Sequence, residues 1–341
     1  MNKGVFRFAL LVAGATFFLI IAGALVTSHD AGLATADWPL TDGHFLPKVT
    51  IFGITTSGVN MVGNLFWEHG HRMIATTVGF LTILLVIFLF AREKRRWVRR
   101  LGVAALIGVI LQGLLGGLTV KLMLPLAVSS AHATLAQLFF CTTVALAVFT
   151  SRSWQEQRPA IEEPAGISLR YLCASAATVI LVQLVIGATL RHSATWDKPL
   201  PTPLLLTHIA GAVIVTAMLG SAAGKVLRRY KGESFLTRPA TIALGLLALQ
   251  LMLGVGAYMV RSASPNDPQP LKSMVAITVA HVACGALVFA TTIVLTLRCF
   301  KVLRPRDVKQ FSIEARLSKK KVQSSTFRLL LANERKLKLE L

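Results

Sequence analysis

Residues 66–80 read FWEHGHRMIATTVGF, with one carboxylate, two imidazoles and a guanidinium directly ahead of the uncharged apolar run Met73–Phe90. Titratable groups beside hydrocarbon are expensive, and by default they mark a functional site. Glu68 precedes His71 by three residues and Arg72 by four, so on a helix the three share one face, about a turn apart. The imidazole could ligate a metal, the carboxylate could handle protons, and the guanidinium could hold a carboxylate ligand through its planar fork. The competing reading is an i,i+4 Glu68–Arg72 pair that only stabilises the start of the helix. His69 projects roughly 160–200° away from His71, and is expected at a loop or interface rather than as a ligand.

The pattern around His71 recurs. Three later segments carry a glutamine followed by closely spaced glycines: LQGLLGGLTV (111–120), VQLVIGATL (182–190) and LQLMLGVGAY (249–258). Each is followed by a short loop and then a histidine: His132 in SSAHATLAQ, His208 in LLTHIAGAV and His281 in TVAHVACGA. IAGALVTSHDAGL, ahead of WEHGHR, is a related version. An internal repeat that aligns both features is an organisational signal. It places four histidines at one depth, on every second helix.

Imidazole is a good iron ligand, and a planar heme takes axial ligands from opposite faces. Non-adjacent helices of a four-helix bundle can each present one histidine to it. His71 with His132, and His208 with His281, therefore read as two heme sites. Zinc or a di-metal carboxylate centre fits less well, because the second half has no acid near its histidines. Glu68 and Arg72 are not repeated before His132, His208 or His281. A carboxylate at one of two otherwise similar sites suggests that one site does chemistry while the other transfers or stores electrons. His29, His44 and His192 are expected in external loops.

The elements that must position these residues are read from hydropathy. Charged residues make up 15% of the 341, against about a quarter in soluble domains. Apolar runs near 6–26, 73–90, 101–120, 127–150, 169–190, 204–224, 239–260 and 273–297 are each about long enough to cross a ~30 Å hydrocarbon core. The net charge of +21 is not spread as a nucleic-acid footprint: it crowds into REKRRWVRR (92–100), Arg152/Arg158/Arg170, 225–238 and the C-terminal tail. Alternate loops hold few cations, which puts both termini in the cytoplasm. The expected fold is an all-α integral membrane protein of eight transmembrane helices, arranged as two pseudo-symmetric four-helix bundles. Its parts are an N-terminal half (1–150), a cytoplasmic linker (151–168), a C-terminal half (169–300) and a basic tail (301–341). The tail, weakly helical near its end, is expected to meet anionic lipid. The first apolar run is read as a helix, not a removed leader. Cys141, Cys173, Cys284 and Cys299 all fall in or at the edge of apolar runs, so neither a disulfide nor a CxxC metal site is expected.

With ALVTSHDAGLATADWPL (24–40), WEHGHRM opening the second helix, and histidines opening the fourth, sixth and eighth, residues 1–300 resemble the heme A synthase family. The resemblance implies conversion of heme O to heme A, a ring methyl becoming a formyl group, for a terminal oxidase in the inner membrane. It implies a substrate heme at His71 and His132, and a heme b cofactor at His208 and His281. Glu68 matches the family's functional carboxylate. Asp37 and Trp38 match its D-W-P loop and are expected to cover the first site, and Arg72 could pair with a propionate. A heme O synthase as supplier and terminal oxidase assembly factors are the implied partners. Many members carry a cysteine pair in the first external loop; Ala34–Thr35–Ala36 stand here instead.

Two other functions fit the histidine pattern alone. One is a diheme membrane cytochrome exchanging electrons with quinone. The other is a repeat-built transporter or heme chaperone, although a transporter site is expected near the midplane on broken helices, whereas these polar residues gather at one interface.

Overall fold

The computed structural model describes residues 3–51, 54–164, 166–194, 200–263 and 270–305. Lys198 and the tail beyond residue 305 lie outside the described residues. Eight long helices carry the chain: α1 (Lys3–Ser28), α2 (Gly63–Arg92), α3 (Arg96–Lys121), α4 (Leu126–Thr150), α6 (Leu169–Ser193), α7 (Thr202–Arg229), α8 (Ser234–Ala263) and α9 (Lys272–Val302). A single short turn, α5 (Arg152–Gln155), follows α4, and Ser151 caps it by accepting a bond from Trp154 N at 3.3 Å. All eight long helices are long and apolar enough to cross a membrane. Large hydrophobics such as Phe18, Phe80, Ile107, Val213 and Met252 are exposed on their outer faces. Helices that satisfy their own backbone bonds and turn apolar side chains outward suit hydrocarbon as solvent. The protein is an all-α, multi-pass membrane protein.

α1 packs on α2 and α4, and α3 packs on α2 and α4. α6 packs on α7, α7 on α8, and α4 on α6. One buried cluster draws Ile20, Phe140, Ala177, Leu219, Ala243, Ala286 and Phe289 together from α1, α4, α6, α7, α8 and α9. Its many alanines let helix backbones approach closely, as packing in lipid requires. The four cysteines are buried and not joined in disulfides.

Helix ends are closed by cations. Arg95 Nη2 donates to Phe149 O at 2.8 Å, satisfying one of the last carbonyls of α4. Pro239 lies inside α8 and has no N–H for the carbonyl four residues back, that of Phe235. Arg298 Nη1 of α9 supplies the missing bond to Phe235 O at 3.0 Å.

One compact unit comprises Met1–Arg158 and Leu169–Lys301. The second joins Pro159–Ser168 to the chain from Val302, through the parallel strands β3 (Ile161–Glu162) and β4 (Leu303–Arg304). Between α1 and α2, β1 (Thr50–Ile51) pairs antiparallel with β2 (Ile54–Thr55) in the register Thr50↔Thr55.

Candidate functional site

The second helix is expected to open at WEHGHRM (67–73); α2 begins four residues earlier, at Gly63. Its polar first turns bond to a covering loop. Glu68 is only 4% exposed and His69 3%. Thr35 N donates to Glu68 Oε2 at 3.0 Å, and Arg72 Nη2 pairs with Glu68 Oε1. Arg72 Nη1 reaches Asp37 O at 2.7 Å, Leu40 O at 2.8 Å and Thr41 Oγ1 at 3.1 Å. The Glu68–Arg72 pair is therefore formed, and the guanidinium also holds the loop backbone.

His69 lies inside α2 and is buried, with Nδ1 3.0 Å from Thr41 Oγ1. Thr41 thus receives both Arg72 and His69. Thr35 Oγ1 donates to Asp42 Oδ1 at 3.4 Å, and Lys121 Nζ to Ala36 O at 3.3 Å. Residues 34–42 are fastened to α2 and α3 by these bonds. Asp37 contributes its carbonyl and is exposed. The ring of Trp38 lies flat against α3: a Cβ at Gly117 would fall 2.6 Å from its Cε2.

The four repeated histidines share one packing device. A Cβ on Gly23 would lie 3.2 Å from His71 Cε1, and one on Gly116 would lie 3.1 Å from His132 Cε1. At Gly187 and His208 the distance is 2.9 Å, and at Gly254 and His281 it is 3.0 Å. Each odd-numbered apolar run gives up a side chain so that the next histidine can lie against its backbone. In the first half Gly116 seats His132 and the adjacent Gly117 seats Trp38, which accounts for the doubled glycine in GLLGG.

Four residues before three of these glycines stands the glutamine of the repeat. Gln112 Nε2 donates to His132 O at 3.0 Å and Gln183 Nε2 to His208 O at 2.8 Å. Gln250 Nε2 is 3.3 Å from His281 Nε2. The matching place in α1 is Leu19, so the His71 quarter lacks the glutamine and has the Glu68–Arg72 pair instead.

The rings of His208 and His281 are 6.4 Å apart between centroids. Metal–imidazole bonds of ~2 Å on either side of one ion put two ring centroids roughly 6 Å apart, so this pair fits an ion between them. His71 and His132 lie within electrostatic reach of one another. Among the described residues, Nδ1 of His71, His132 and His281 is buried without a partner. Three or more His, Cys, Asp or Glu side chains do not converge into a metal cage anywhere among the described residues. The histidines therefore offer pairs, which suits a group that supplies its own equatorial ligands.

Arg191 and His192, the latter expected in an external loop, also belong here. α6 runs through Ser193, so Arg191 and His192 end a helix instead of lying in a loop. Arg191 Nη2 donates to Ser28 Oγ at 2.6 Å and lies within electrostatic reach of Arg261 and His281. The signal was a lone arginine at the end of an apolar run, close in sequence to VQLVIGATL. His29 stacks on Trp67 at 4.0 Å and does not enter the pairs.

Residues 7–196, more than half of the chain, match the COX15-CtaA family, described as cytochrome oxidase assembly protein. The chain belongs to this family. Among its relatives are the heme A synthases of Bacillus licheniformis, Symbiobacterium thermophilum and Methylobacterium sp. (strain 4-46). The Bacillus protein is 25% identical over 281 residues, covering 76% of this chain and 88% of the relative. The Symbiobacterium protein is 29% identical over 256 residues, covering 69% and 79%. The Methylobacterium protein is 37% identical over 143 residues, covering 40% and 39%. In this family member the match spans Glu68, His71, Arg72 and His132, and it ends just past Arg191 and His192.

Proposed function

We propose that this chain is a heme A synthase, oxidising a ring methyl group of heme O to a formyl group. The observation that carries the reading is an asymmetry within a repeat. Four glycine-seated histidines are alike, yet among the described residues only the His71 quarter carries a buried carboxylate, Glu68, one helical turn before its histidine. The names of its relatives support the same activity.

In this reading His71 and His132 hold the substrate heme. The methyl-to-formyl conversion is an oxidation that takes its oxygen atom from dioxygen or water and passes its electrons to an acceptor outside the chain. Hydrogens leave carbon as protons, so a proton acceptor must stand nearby. Glu68 is that acceptor, held in place by Thr35 N–H and Arg72 while the loop 34–42, with Trp38 against Gly117, keeps bulk water out. Heme b between His208 and His281 would supply one-electron redox chemistry to the reaction. Gly187 and Gly254 seat that pair, Gln183 and Gln250 orient it, and Arg191 offers its guanidinium to a propionate.

The same reading makes α1–α4 and α6–α9 two pseudo-symmetric four-helix bundles in the inner membrane, with both termini cytoplasmic. Heme O would come from a heme O synthase, and the product would go to terminal oxidase assembly. Co-expression with a source of heme O, followed by extraction and chromatography of the pigments, tests the activity. Wild type should yield heme A, and Glu68→Ala should bind heme but yield none. Two bound hemes without heme A, in the presence of electron acceptors, would make the chain a diheme cytochrome instead.

A further inference from the structure

At the end of the molecule away from the histidines, a cavity of about 420 Å³ is lined by Ser153, Arg158, Ser234, Arg238, Thr291 and Arg298, with Phe235 as a wall. Arg158 and Arg298 place their guanidinium carbons 4.3 and 4.7 Å from the centroid of the Phe235 ring. Lys301 Nζ lies 5.9 Å from the same ring. Three cations thus crowd one aromatic side chain, and Arg238 and Arg158 lie within electrostatic reach of Arg298. The carboxylate paired with any of them in this corner is Glu156, 3.1 Å from Arg158 Nη2 and shared with Arg152.

Like charges packed this closely repel, and a folded chain tolerates them where a counter-anion completes the site. Two donors point to such an anion. Nε of Arg158 and Nε of Arg298 are buried and have no partner among the described residues. Buried unpartnered guanidinium N–H groups are costly, and an anion's oxygens would satisfy them. Hydroxyls of Ser153, Ser234 and Thr291 add neutral donors on the same walls. Pro239, Ile242 and Val294 complete an apolar side, so the site combines an anion cradle with a surface for hydrocarbon.

We propose that this cavity binds a phosphate group, and that the phosphate belongs to an anionic phospholipid whose headgroup sits among Arg158, Arg238 and Arg298. The three arginines come from the segment after α4, the start of α8 and the end of α9, so the bound headgroup would tie these elements together. Basic pockets between transmembrane helices on the side rich in Lys and Arg suit such headgroups. The inference stands independently of the heme chemistry.

The test uses the full-length protein in nanodiscs of phosphatidylcholine with added phosphatidylglycerol, and counts retained lipid by native mass spectrometry. Arg238 is exposed at the rim, so Arg238→Gln leaves the packed walls intact. Its affinity for phosphatidylglycerol should fall about fivefold, and that of the double variant R158Q/R238Q about 25-fold, at roughly 1 kcal/mol per cation. Arg100→Gln, an exposed cation near the start of α3, should change nothing. Equal retention in wild type and R238Q, or an equal loss in R100Q, would overturn the site in favour of general surface charge. A parallel arm titrates inorganic phosphate and follows thermal unfolding. Protection by phosphate that needs Arg238, with no preference for phosphatidylglycerol, would uphold the phosphate site and overturn the lipid as its source.

Discussion

Gly187 leaves His208 less room than any other glycine of the repeat leaves its histidine: a Cβ there meets Cε1 at 2.9 Å, against 3.2 Å for Gly23 and His71. A valine at 187 must push the imidazole aside, at a cost of about 1–3 kcal/mol for an overpacked interior. Gly187→Val should therefore lose most of the b-type heme per protein, measured as the pyridine hemochrome, while the helical circular dichroism stays unchanged. Gly23→Ala should be milder and should deplete only the substrate heme. At Glu68 the buried pair sets the expectation. Glu68→Gln keeps an acceptor for Thr35 N–H but leaves Arg72 without its carboxylate, and breaking a buried pair costs up to about 3 kcal/mol. The expected outcome is bound heme O without heme A in the extracted pigment, with a lower melting temperature. Full heme A production by Glu68→Gln would remove the carboxylate from the mechanism. At this scale much was legible, because His71, His132, His208 and His281 repeat with their glutamines. Arg191 and the roles of Thr35 and Thr41 were not. Those residues act through contacts 28 or more positions away along the chain, such as His69 Nδ1 to Thr41 Oγ1, Thr35 N to Glu68 Oε2 and Arg191 to Ser28, and no local period encodes them.

The elements show where hydropathy runs out. The apolar spans coincide with helices because uncharged runs of about 20 residues leave few alternatives in hydrocarbon. The ends of those helices were less legible. α2 begins at Gly63, four residues ahead of the WEHGHRM expected to open it, and α6 carries Arg191 and His192 in its last turn. The loop itself is an element without regular structure, held by Thr41 at its centre. Thr41→Val keeps the shape and removes the hydroxyl that takes Arg72 and His69. Losing two such bonds costs about 1–2 kcal/mol, so amide hydrogen exchange across residues 34–42 should quicken about five- to thirtyfold. Gly117→Ala should produce the same opening by displacing Trp38, whereas an equivalent change at Gly113, which has open space around it, should not. Unchanged exchange in Thr41→Val would mean that the loop is held by Lys121, the Glu68 contact and the Arg72 bonds to Asp37 O and Leu40 O.

For the whole molecule, the placement of the basic residues is a statement about orientation. The structure puts 92–100 across the junction of α2 and α3, and 225–238 across the junction of α7 and α8. Both segments lie at the helix ends away from the histidines, while the histidine-bearing ends hold few cations. Lys and Arg near span ends resist translocation, so the two ends of the molecule should face opposite sides of the membrane. A fluorescent protein fused after Arg304 should therefore fluoresce, and alkaline phosphatase fused after Leu122, in the turn between α3 and α4, should be active. The heme pairs would then lie toward the outer leaflet and the arginine cavity at the cytoplasmic leaflet. The prediction has a sharper form, because bias and not total charge sets orientation. Replacing the six cations of 92–100 by glutamine should raise phosphatase activity at a fusion after Arg95, while the net charge of the chain remains well above zero. If that activity does not rise, packing of the completed bundle holds the topology, and the charge distribution serves the lipid surface alone.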